Sequence, residues 1–147
     1  MSDIRGSILW WAAKRQIRRH GSKVVAIGGA IAKTSTKVAV GTLLKLAHPG
    51  EVRVGFGNLN SYLGVPLSIL GFEVDFYEQK IGMFRWIWIL KQAMWRGNFG
   101  KLPKYLVLEY GTDQPGDIEA ITAQLRPDVG MITIVGPAHL ANYPTID

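Results

Sequence analysis

Residues 24–37 read VVAIGGAIAKTSTK: a short apolar run, a loop of small residues, then Lys33-Thr34 where a helix begins. A β-branched run that breaks at a glycine pair and feeds a helix is a strand–loop–helix unit, which commits the chain to an α/β arrangement with this strand buried in a sheet. The same unit presents backbone N–H groups, a lysine and a hydroxyl to one point, a combination suited to the phosphates and magnesium ion of ATP. The loop departs from the pattern G-x-x-x-x-G-K-[ST], because Ile27 and Ala32 stand where glycines are expected. A Cβ at position 32 obstructs a positive φ or a close phosphate approach. By itself, therefore, the segment also fits a plain strand-to-helix turn with a surface lysine. On the phosphate reading Gly29, Ala30, Ile31, Ala32, Lys33, Thr34 and Ser35 form the nucleotide loop. Lys33 then reaches the β- and γ-phosphates, and Thr34 places its hydroxyl on Mg2+.

Further along, residues 33–46 have helical spacing, and His48-Pro49-Gly50 turns the chain into a short strand over 52–54. A Gly/Asn-rich loop follows; 81–95 has helical length, 105–109 reads as a strand, 115–125 as a helix and 129–135 as a strand. Strands alternating with helices predict an α/β fold, a mostly parallel sheet flanked by helices. Ligands in such sheets sit beyond the carboxyl ends of the strands, and loops 28–33, 110–116 and 136–140 leave such ends. Residues 97–101 read as a flexible joint, too short for a domain linker.

With 147 residues, 48% of them hydrophobic and 19% charged, the chain can bury a core of its own, and its lack of cysteine removes disulfides and thiolate chemistry. A cytoplasmic setting is compatible with that composition. The net charge of +6 is uneven, since Arg5, Lys14, Arg15, Arg18, Arg19 and Lys23 precede the loop against Asp3 alone. Residues 1–23 are thus a basic amphipathic arm, and 24–147 the domain proper. Ile8, Leu9, Trp10, Trp11, Ala12, Ala13 and Ile17 give the arm an apolar face that either packs on the domain or lies on an anionic membrane surface. The first alternative is the expected one. Neither this stretch nor MFRWIWILKQAMW at 83–95 reaches the roughly 20 apolar residues that span a bilayer. Peripheral membrane contact through Trp10, Trp11 and the helix bearing Trp86 and Trp95 stays open, and no nucleic-acid partner is expected.

Glu109 ends an otherwise apolar strand, where a carboxylate is costly unless a metal or a base pairs with it. His139 lies in the equivalent loop after the next strand, so the two can converge on a cation near the phosphates. A salt-bridged glutamate and a surface histidine are the plainer alternatives. His20 and His48 lack such a context.

Four stretches in order, AIGGAIAKTSTK, GNLNSYLGVPLSILG, YLVLEYGTDQPGDIEAIT and RPDVGMITIVGPAHL, resemble the central ATP-binding domain of the Mur ligases. The likeness runs from about Val24 to Leu140 and is strongest toward members that join D-alanyl-D-alanine to a UDP-muramoyl tripeptide. It implies a P-loop-like domain of an ATP-dependent amide-bond ligase of peptidoglycan precursor synthesis, in which ATP phosphorylates a carboxylate and an amine displaces the phosphate. It also implies that Lys33, Glu109 and His139 serve catalysis, that Thr34, Glu109 and His139 hold metal, and that Asn58 and Asn60 belong to a substrate-side loop, with turn-forming asparagines as the alternative. The implied small-molecule partners are a UDP-muramoyl peptide and D-alanyl-D-alanine. Departures are Ala32 for the family's glycine, Ser61-Tyr62 for Asn-Glu, and Ile134 for an asparagine. The family's carbamylated lysine, its adenine-binding portion and its outer domains are not matched. The expectation is therefore a partial or split ligase, served by a complementing polypeptide and inactive in amide formation alone, or else a non-catalytic nucleotide-binding scaffold.

Overall fold

The sheet is assembled from four short strands, and their pairing fixes where every loop lies. A computed structural model describes residues 4–74, 82–111 and 114–136. In chain order the elements are α1 (Ile4–His20), β1 (Lys23–Gly28), α2 (Lys33–Ala47), β2 (Val52–Val54), α3 (Gly64–Ile69), α4 (Met83–Phe99), β3 (Tyr105–Glu109), α5 (Asp117–Gln124) and β4 (Val129–Ile132). The strands pair in parallel in the order β2-β3-β1-β4, with Ile27 opposite Glu109 and Gly28 opposite Ile132. All strand carboxyl ends therefore fall on one edge of the sheet. The parallel α/β class expected from the sequence is the one observed.

Side-chain alternation along the strands separates two environments. Val24, Ala26, Leu106 and Leu108 point into the main core, shared with Leu9, Trp10, Val65, Leu67, Ile69, Ile89 and Ala93 from α1, α3 and α4. Val107 and Glu109 alternate with them and so face the other way, toward α2, whose Thr34 and Lys37 meet Glu109. A carboxylate under a helix is thus a direct consequence of the strand's period. Leu9, Trp10, Leu67 and Ile89 are almost wholly inaccessible, each adding on the order of 2 kcal/mol to stability.

The basic arm is a helix, α1, of 17 residues that runs alongside α4. Gln16 donates to the Arg96 carbonyl at 2.9 Å, His20 lies 3.1 Å from the Gly100 carbonyl, and Arg5 stacks over Trp86, so the two helices advance in the same direction. Gly97 sits inside α4, where a Cβ would come within 2.9 Å of Ala12; the close approach of the helices explains the glycine, and the segment is no flexible joint. Trp10 is buried, whereas Trp11 is exposed, which removes Trp10 from any surface role. At the far end, β4 closes at Ile132. The next residues turn to meet the loop after β1, with Ile134 bridging Ile31 in antiparallel sense.

Candidate active site

The loop from Gly28 to Ala32 leaves β1 beside the carboxyl end of β3 and is held by neighbouring strand ends. Thr133 donates through Oγ1 to the carbonyls of Gly28 (3.2 Å) and Ile31 (2.6 Å), and Ala30 N–H donates to the Ile134 carbonyl at 2.7 Å. Gly29 has φ 123°, and a Cβ on it would collide with the Thr133 hydroxyl, so glycine is required there. Ala32 sits at φ 64°, ψ 14° as the residue before α2, the left-handed geometry that a glycine would adopt without strain. It makes no side-chain cap, so α2 begins with its backbone N–H end and the positive end of its dipole turned toward the loop.

Three side chains converge on Glu109, itself only 6% exposed. Thr34 Oγ1 donates to Glu109 Oε2 at 2.9 Å, Asn60 Nδ2 donates to Oε1 at 3.0 Å, and Lys37 Nζ lies 3.4 Å from Oε2 while donating to the Gly57 carbonyl at 2.6 Å. Lys37 is 2% exposed, so this is a buried ion pair whose remaining valences are met by neutral donors. Lys33 is also largely buried and folds back to the Ala30 carbonyl at 3.4 Å, within the loop it would need to leave to reach a phosphate.

Of the residues singled out from the sequence, Gly29 to Ser35 form one continuous loop and helix start, and Thr34 and Glu109 are in contact. Asn58 is exposed in its turn, whereas Asn60 is buried against the carboxylate rather than presented outward. His139 lies outside the described residues. Sequence reasoning missed Lys37. Its signal was its spacing of four from Lys33, which puts both lysines on one face of α2.

The set can be tested against magnesium. Thr34 Oγ1, the Glu109 carboxylate and the Asn60 Oδ1 atom are hard oxygen donors, and Asn60 Oδ1 is buried without a hydrogen-bond partner among the described residues. No group of three or more His, Cys, Asp or Glu is found among the described residues. That is compatible with Mg2+, which takes one or two protein oxygens and completes its shell with phosphate and water.

The chain matches no protein-family model. It is 30% identical over 123 residues to the UDP-N-acetylmuramoyl-tripeptide–D-alanyl-D-alanine ligase of Buchnera aphidicola subsp. Baizongia pistaciae, covering 84% of this chain and 20% of that protein. Proteins of the same name from Rickettsia prowazekii and Mycobacterium leprae are 26% identical over 126 residues and 29% over 132, covering 86% and 90% of this chain and 22% and 20% of theirs. Among solved structures, MurF from Acinetobacter baumannii superposes with a TM-score of 0.68 at 27% identity, covering 100% of this chain and 26% of that one. The chain thus spans about a fifth of the length of the curated relatives it matches. In sequence over most of its length and in fold over all of it, this chain is a partial relative of the UDP-N-acetylmuramoyl-tripeptide–D-alanyl-D-alanine ligases of the Mur ligase family.

Proposed function

We propose that the loop from Gly29 to Ser35, with Lys37, Asn60 and Glu109, is the nucleotide site of an ATP-dependent ligase that makes an amide bond in a peptidoglycan precursor. The observation that carries this reading is the contact between Thr34 Oγ1 and Glu109 Oε2 beside the uncapped start of α2. A helix start, a hydroxyl and a carboxylate meet at the strand carboxyl ends, where α/β sheets bind their ligands. Thr34, Glu109 and Asn60 would hold Mg2+, which when bound neutralises charge on the transferring phosphoryl group. The N–H groups at the start of α2 orient the phosphates, and Lys33, released from the Ala30 carbonyl, adds a cation to them. Lys37 stays under the site and holds the carboxylate in place. On the relatives' names, the joined groups would be a UDP-muramoyl tripeptide and D-alanyl-D-alanine.

Calorimetry with Mg-ATP tests the site directly. Binding is expected, and Lys33→Ala should weaken it at least about tenfold, roughly 1.4 kcal/mol. If wild type and variant bind alike, or neither binds, the assignment is wrong.

A further inference from the structure

α4 presents apolar side chains on both of its faces. Ile89, Ala93 and Gly97 are buried against the core and α1, as an amphipathic helix requires. The opposite arc should be polar, yet it carries Phe84, Ile87, Trp88, Met94, Trp95 and Phe99, of which Phe84 is 83% exposed, Phe99 70%, Trp95 58% and Trp88 54%. Helical spacing places these residues on one stripe, with Lys91 at its centre. A helix that is apolar all round is normally covered on both sides, and a stripe this large on a surface marks a contact site.

The charges beside the stripe say what covers it. Arg15 and Arg18 of α1 and Lys91 of α4 are exposed, whereas Lys14 turns to Gln124 and Arg96 to the Leu70 and Gly71 carbonyls, and neither helix contains an aspartate or a glutamate. Arg15 links the two helices, since its guanidinium lies 5.8 Å from the exposed Trp11 ring and donates to Asn98 of α4 at 2.9 Å. Each helix has 17 residues, a rod of about 25 Å, and because the two lie side by side a single plane can touch both. No helix among the described residues is long and apolar enough to cross a membrane. Exposed tryptophans and phenylalanines interspersed with long cationic stems suit the boundary between lipid headgroups and acyl chains, where the rings insert and the cations remain at the phosphates. A second copy of this face would instead set cation against cation.

We propose that the α1–α4 face docks on an anionic lipid surface, with Phe84, Trp88, Trp95 and Phe99 inserted and the exposed cations Arg15, Arg18 and Lys91 against the headgroup phosphates. The site goes beyond the nucleotide reading and does not depend on it. The test is co-sedimentation of the full chain with vesicles of phosphatidylcholine alone and of phosphatidylcholine with an equal amount of phosphatidylglycerol. Partition onto the anionic vesicles should exceed that onto the neutral ones by about tenfold or more in low salt and fall when the salt is raised to about 0.5 M. Trp88→Ser with Trp95→Ser should remove most of the binding while leaving the circular dichroism spectrum unchanged, because both rings are exposed. Leu43→Ser, an exposed apolar position on α2, should leave it intact. Absence of binding to anionic vesicles, equal binding to both kinds, or equal loss in the Leu43 variant would overturn the proposal. So would sedimentation velocity showing a dimer that the tryptophan variants dissolve, which would give the face to a second copy. Capture of an acidic peptide in preference to vesicles would give it to a protein partner.

Discussion

Replacing Lys37 with methionine keeps the length of the side chain and removes its charge, which isolates what the buried ion pair contributes. At 3.4 Å, and with the effective dielectric of about 20 that suits protein sites, the attraction between Lys37 and Glu109 is about 5 kcal/mol before desolvation is counted. Desolvation of both ions offsets much of that in the pair, but the single variant leaves the Glu109 carboxylate buried with only the neutral donors Thr34 and Asn60. Breaking such a pair from one side costs about 3–5 kcal/mol. The Gly57 carbonyl also loses its 2.6 Å donor, which adds to the loss. The double variant Lys37→Met with Glu109→Gln removes both charges and should recover most of the stability, so a double-mutant cycle is expected to show a coupling of at least about 2 kcal/mol. Urea unfolding followed by circular dichroism measures all four corners of the cycle. A cost below about 1 kcal/mol for Lys37→Met, or additive costs for the two substitutions, would show that the pair is not buried as described and that Glu109 is neutralised in another way.

Two further outcomes follow from the geometry. Ala32→Gly should stabilise the chain by up to about 1 kcal/mol in the same urea assay, because glycine adopts the left-handed backbone without strain, whereas at an ordinary helical φ the same change would destabilise. Asp128 accepts from Val24 N–H at 2.8 Å and from Lys23 Nζ at 2.9 Å, and these two contacts hold its carboxyl below its usual value, the Val24 bond foremost. A depressed folded-state value means stability that is present above the unfolded carboxyl range near 4 and lost as pH falls through the folded value. Asp128→Asn should therefore lower the urea midpoint at neutral pH, and the difference from wild type should close toward acid; a constant difference would show that the charge plays no part.

Much of the fold was legible because the strands are short apolar runs with clear punctuation. β1, β2 and β3 lie where the sequence placed them, and α2 begins at Lys33 as expected. The differences have local causes. Residues 129–135 read as one strand, but β4 ends at Ile132, and beyond Thr133, whose N–H still meets the Gly28 carbonyl, Ile134 pairs in antiparallel sense with Ile31 of the loop after β1. The stretch containing α3 read as loop, since six residues holding Gly64 and Pro66 give a helical period too little length to show. α4 runs on to Phe99, beyond the Trp95 end expected, because Gly97 is a packing residue against Ala12 and not a break. In α1 the adjacent Trp10 and Trp11 are indistinguishable in composition, and only the helix period, which puts Trp10 with Leu9 and Ala13, sends one inward and the other outward.

The site was legible in outline for a reason of topology: β1 and β3 are neighbours and parallel, so residues at their carboxyl ends must meet, and Thr34 meets Glu109. What a linear reading misses is how the carboxylate is compensated. An ionised glutamate at the end of an apolar strand demands a partner, and the sequence argument offered a metal near His139 or, as the plainer alternative, a salt bridge whose base it did not name. The partner found is Lys37, which lies one helical turn beyond Lys33 and reaches Glu109 because β3's alternation turns that residue toward α2. This division of labour bears on Ala32 as well. With Lys37 paired to Glu109 beneath the loop, the phosphate contact of the proposed nucleotide site falls to Lys33, which here turns to the Ala30 carbonyl. The left-handed backbone at Ala32 gives α2 the starting direction a glycine would give, so the alanine costs strain and a Cβ at the rim rather than a different path for the chain.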